Sequence, residues 1–120
     1  MNKNKKYLKK YHFRRYKKTN LHPFLVVLVR IDPCLENNIL FSGFNLTRSP
    51  KMAVKKPRKY IKIKNPNPSD ILDSYLCLDL VVDKPIYLFE EPLLNWKLSE
   101  KDKKIIERIV KNKIKTPRRS

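Results

Sequence analysis

Two histidines, two cysteines and eleven carboxylates are the residues of this 120-residue chain that could move a proton, attack a carbonyl or hold a metal. Their spacing favours none of these. His12 and His22 lie in and beside a run of cations, where base stacking or solvent contact suits them better than acid–base work. Cys34 and Cys77 form no CxxC pair and meet no HxxxH set, so a zinc site has no ligand framework. The six acids from Asp70 to Glu91 contain no D-x-D or E-x-x-E pair. A phosphate-cradling loop needs glycines, and the one glycine, Gly43, sits in FSGF as a bulge or turn residue. The expectation is a protein that is not an enzyme, with no metal, no cofactor and no small-molecule substrate.

The chemistry the chain does carry is cationic and aromatic. KKYLKKYHFRRYKK, residues 5 to 18, holds eight Lys or Arg, four aromatics and no acid. Tyr7, Tyr11, Phe13 and Tyr16 are spaced to stack on exposed bases, and Lys5, Lys6, Lys9, Lys10, Arg14, Arg15, Lys17 and Lys18 to reach phosphates. A second basic run supplies Lys55, Lys56, Arg58 and Lys59, and a third supplies Lys101, Lys104, Arg108, Lys111 and Lys115, with Arg118 and Arg119 after it. Three separate basic surfaces on one chain of net charge +18 suit a polyanion that wraps around the protein. No helix-turn-helix, zinc finger or basic zipper is present to read duplex DNA.

Elements must position these groups. The 41% hydrophobic content excludes a wholly disordered polycation. FLVVLVRI (24 to 31) and ILFSGFNL (39 to 46) predict a hairpin across a loop marked by Asp32-Pro33 and Asn37-Asn38. KYIKIK (59 to 64) alternates, with Ile61 and Ile63 on one face and Tyr60, Lys62 and Lys64 on the other. SYLCLDLVV (74 to 82) and IYLF (86 to 89) predict a further strand pair, or a short helix leading into a strand, with Cys77 in the core. A Cys34–Cys77 disulfide stays open beside the free thiols that a chain without a secretion signal favours. Ser99 caps a final helix and Asp102 completes an S-x-x-D pattern; Ile105, Ile106, Ile109 and Val110 form one face and the cations another.

The fold expected is α+β: a small, mostly antiparallel sheet with a C-terminal amphipathic helix and basic extended arms at both ends. The boundaries are an arm over 1–22, one domain over 23–115 and a tail over 116–120. Within the domain, 48–64 is a basic loop and strand, and 69–98 is an acidic segment of six acids against two cations. That segment would meet a protein neighbour or neutralise the chain's own basic strands. The longest apolar run, Phe24 to Val29, is far shorter than the roughly 20 residues of a membrane span. The first 18 residues separate into no clean apolar face, against a membrane-surface helix. Met1 and the shortage of Ser and Ala argue against a cleaved transit peptide.

In character a short, Lys-rich chain with a small mixed domain and basic arms resembles a ribosomal protein, although no stretch matches a particular ribosomal family. Twenty-one Lys, ten Asn and ten Ile beside one Ala and one Gly resemble the reading frames of AT-rich mitochondrial genomes. The resemblance implies a structural, rRNA-binding constituent of a mitochondrial ribosome, encoded in the organelle and placed in the matrix among ribosomal RNA and neighbouring proteins. The alternative it leaves open is an accessory subunit of a respiratory-chain membrane complex.

Overall fold

A computed structural model describes residues 10–18, 22–34, 38–47, 49–69, 72–90 and 94–115, the side chains of 114 and 115 apart. Six strands and two helices follow in the order β1 (His12–Arg14), β2 (Phe24–Ile31), β3 (Ile39–Thr47), α1 (Lys51–Lys55), β4 (Tyr60–Ile63), β5 (Ser74–Cys77), β6 (Val81–Pro85) and α2 (Glu100–Lys115). The architecture is α+β. Every strand pairing is antiparallel, the sheet order is β1-β2-β3-β5-β4, and β6 pairs with β3 as well.

The predicted hairpin is β2–β3, and its apolar run explains the sheet's two cores. Phe24 to Val27 are all buried, as expected of a strand covered on both faces. Leu25 and Val27 join Phe13, Phe44, Leu46, Ile63 and Leu76 in one cluster, which Ile106 and Val110 of α2 close. Phe24 and Val26 join Tyr16, Ile39, Phe41 and Phe89 in the other. The register shifts between Val26 and Leu28, so Val27 is a bulge opposite Gly43. There the backbones approach so closely that a Cβ on residue 43 would collide with the Leu25 carbonyl oxygen.

Residues 74 to 82, expected as one strand or a short helix, enter two strands. Both run antiparallel along the same edge of β3, but from Leu76 to Val81 the chain advances five residues while β3 advances three, from Leu46 to Gly43. The two surplus residues loop out and split the strand. Cys77 is half-buried rather than in the core, and both Cys34 and Cys77 are free thiols. Ile86–Leu88, expected to be extended, is a turn of 3-10 helix that drives Phe89 into the second core.

The largest correction concerns the N-terminal arm. Residues 12 to 14 are not an extension but the edge strand of the sheet, in register with Val26, Leu25 and Phe24. Phe13 is fully buried and packs 5.8 Å from Trp96, while Tyr16 stacks on Phe89 at 4.6 Å on the opposite face. The outer edge of β1 is satisfied by a late segment: Leu94 N–H donates to the Phe13 carbonyl, Glu90 N–H to Arg15 and Lys17 N–H to Leu88. The arm boundary at residue 22 therefore cuts through the folded unit. Residues 1–9 and 116–120 lie outside the described residues.

Helix α2 begins at its predicted cap, with the Ser99 hydroxyl accepting the Asp102 N–H at 3.1 Å. Asp102 does more than complete the pattern. Its carboxylate is buried and accepts the Lys64 N–H at 2.9 Å, which ties the helix start to the end of β4. Asp102, Ile106 and Val110 are the buried stripe; Ile105, expected on that face, is 39% exposed.

Candidate nucleic-acid interface

The structure sorts the expected contact residues by accessibility. Lys10, Arg15, Lys17 and Lys18 are exposed, as are Lys55, Lys56 and Arg58 on α1 and the turn after it, and Lys101, Lys104, Arg108 and Lys111 on the outer face of α2. Phe13, Arg14 and Tyr16 are buried and present neither ring nor charge to a partner, and His12 is buried beside them. Apolar partners outcompete solvent for these rings, and Arg14 is held inside by its own contacts. Its Nε donates to His12 Nε2 at 3.3 Å, its Nη1 donates to the Glu90 carbonyl at 3.1 Å, and its guanidinium lies 5.2 Å from the Phe41 ring. Lys5, Lys6, Tyr7, Lys9, Arg118 and Arg119 fall outside the described residues, as does the side chain of Lys115.

The acidic segment turns inward electrostatically. Asp83 forms a two-point pair with Arg30 at 2.8 Å, Asp79 meets Lys59 at 3.8 Å and Asp73 meets Lys62 at 3.7 Å. Neutralisation of the chain's own basic strands, one of the two expected roles, is thus observed, and it occupies Lys59. These pairs are exposed, so each adds little stability. Their geometric effect is larger: they draw carboxylates away from the remaining cations.

Four exposed cations, Lys10, Arg15, Lys64 and Lys97, lie around one extended stretch, Asn95 to Lys97, between β1 and the start of α2. Leu94 is hydrogen-bonded to β1, and Lys97 N–H reaches the Pro66 carbonyl at 3.2 Å. The stretch is thereby suspended between two anchors, and three clefts of about 380, 410 and 380 Å³ open around it. Trp96 is shared by the first and third, Asn65 by the first and second, and Asn95 and Lys97 by the second and third. Among the described residues their walls contribute Lys10, Arg15, Lys64 and Lys97 and no Asp or Glu. A concave surface lined by cations focuses positive potential onto a polyanion.

Aromatic contacts set the stretch in place. The Arg15 guanidinium lies 5.9 Å from the Trp96 ring centre, and Lys103 Nζ of α2 lies 5.9 Å from Tyr11, which lines the third cleft. Burial, aided by the negative charge of Glu107, raises the Tyr11 phenol above its usual pKa, so the ring stays a neutral donor. Tyr11 itself adopts a left-handed backbone, φ 59°, where the chain turns into β1.

Trp96, Lys97 and Asn65 are absent from the sequence-derived contact set, and Lys64 is read there only as an outer-face lysine. The available signal is NWKLS, a lone tryptophan beside a lysine in a stretch without apolar periodicity. Among the described residues no three His, Cys, Asp or Glu gather to hold a metal, and no helix is long and apolar enough to cross a membrane. Comparison with protein-family models, with curated proteins and with solved structures finds no match to this chain.

Proposed function

We propose that this protein is a structural, rRNA-binding component of a ribosome, that of a mitochondrion, acting without catalysis by neutralising and threading RNA. The observation that carries the proposal is the set of clefts around Asn95–Lys97, whose described lining holds Lys10, Arg15, Lys64 and Lys97 and no carboxylate, on a chain of net charge +18. Aromatic rings among cations suit single-stranded RNA, whose bases are free to stack while phosphates follow the positive groove. The exposed lysines of α1 and α2 give further surfaces for neighbouring RNA segments. The Lys-, Asn- and Ile-rich composition supports organelle coding and a matrix location.

Two measurements test the proposal. Binding of purified protein to single-stranded RNA should weaken steeply with salt, with a log–log slope of roughly −0.7 for each phosphate neutralised. A slope near zero, or no binding at low salt, would overturn RNA binding. After gentle lysis the protein should sediment with ribosomal particles; co-migration with detergent-solubilised respiratory complexes would overturn the assignment to a ribosome.

A further inference from the structure

The first cleft is more than a basic hollow. Its 380 Å³ lies within the roughly 300–1,000 Å³ of small-ligand sites, and its wall joins Arg15 and His22 to Trp96. Beneath it are two buried polar atoms without hydrogen-bond partners, Asn65 Nδ2 and Ser74 Oγ. Asn65 Oδ1 accepts the Asn67 N–H at 3.0 Å, which fixes the amide orientation and leaves the NH₂ end open. Ser74 is fully buried in β5 opposite Ile63, where a strand residue facing only core would be apolar. Buried donors left unsatisfied are rare in folded proteins and ask for a partner.

The ligand must therefore be planar, rich in acceptors and negatively charged at one end. Planarity suits Trp96, ring and carbonyl acceptors suit Asn65 and Ser74, and phosphate suits Arg15 and His22. An aliphatic group would leave both buried donors unsatisfied, a cation would be repelled by Arg15, and a carboxylate side chain would offer Trp96 no face to stack on. We infer that this cleft seats a single unstacked nucleobase of the bound RNA, with its phosphate against Arg15 and His22. Small side-chain adjustments on occupation bring the two buried donors onto the base. The inference rests on the RNA-binding reading and adds a seat for one base to a groove that otherwise recognises charge.

The test compares two strands of about ten nucleotides. One is oligouridylate, and the other has the same phosphates on ribose without bases. Trp96 is the chain's only tryptophan, so its fluorescence reports the first and third clefts that share it; Ser74 lines the first alone, and affinities of all variants are read by anisotropy of labelled strands. The expected result is quenching by the base-bearing strand only, with affinity about 5-fold or more above the base-free strand. Ser74→Ala, nearly isosteric, should lower that preference by about 2- to 10-fold and leave base-free binding unchanged. Trp96→Leu should abolish the preference and Trp96→Phe retain most of it. Equal affinity for the two strands, or an unaltered preference in Ser74→Ala, would overturn the seat while RNA binding stands. Failure of both strands to bind would overturn the RNA reading itself. Uridine monophosphate binding as tightly as the strand would make the cleft a free-nucleotide site and overturn the inference.

Discussion

Replacing Lys10, Arg15, Lys64 and Lys97 together with glutamine should remove the groove's attraction for RNA and leave the fold intact. All four side chains are exposed, so each substitution should change stability by no more than about 0.5 kcal/mol. For a single strand each neutralised phosphate contributes roughly 0.7 to the salt slope, so four lost contacts should make it shallower by about 2.8. At about 0.1 M salt this corresponds to a loss of between about 100- and 1,000-fold in affinity. The matched control replaces Lys101, Lys104, Arg108 and Lys111 on α2 with glutamine, lowering the net charge of +18 by the same four. Anisotropy of a labelled strand across a salt series reads both slopes. The control should shift its slope by less than about one contact's worth. Equal losses in the two variants would refute the groove as the RNA track and show the cations acting as a diffuse cloud.

Other consequences are checked by simpler measurements. Phe13→Ala should cost about 3–5 kcal/mol by urea unfolding, because it empties a fully buried site; a cost below about 1 kcal/mol would remove β1 from the core. Asp102→Ala should cost about 1–3 kcal/mol by leaving the Lys64 N–H without its acceptor, and Asp102→Asn, which can still accept, should recover most of it. The hydrogen bonds from Arg30 hold the Asp83 carboxyl below the usual aspartate pKa. A carboxylate depressed on folding stabilises above its unfolded pKa, and the contribution fades as pH falls through the folded one. An NMR titration of Asp83 should therefore move upward in Arg30→Gln, with a weaker acid loss of stability; an unmoved titration would show that the pair does not form.

Local periodicity made part of this fold legible. The β2–β3 hairpin, the alternation that buries Ile63 and the capped start of α2 all depend on residues a few positions apart. β1 was hidden because it lies within a run dominated by cations, and because Phe13 and Tyr16 are buried by Trp96 and Phe89, more than seventy residues away. The split between β5 and β6 follows from a mismatch in advance against β3, which exists only once the strands are paired. The groove was obscured for the same reason. Lys10, Arg15, Lys64, Asn65 and Trp96 come from three distant stretches of chain, and no single stretch carries the pattern. Conversely, the arm's density of charge marked Arg14 as a surface contact, and it is buried.

The closure of β1 by Leu88, Glu90 and Leu94 also bears on how the protein is made. Phe13 and Arg15 wait for Leu94 and Glu90 to complete the outer edge of their strand. At the roughly 5–20 residues per second of translation, that delay lasts several seconds. Until then Phe13 and Tyr16 lack the late residues Trp96 and Phe89 that pack against them. Folding then takes Phe13, Arg14 and Tyr16 inside and leaves Lys10 and Arg15 at the surface. Completion of the sheet thus decides which of the early cations and rings remain accessible.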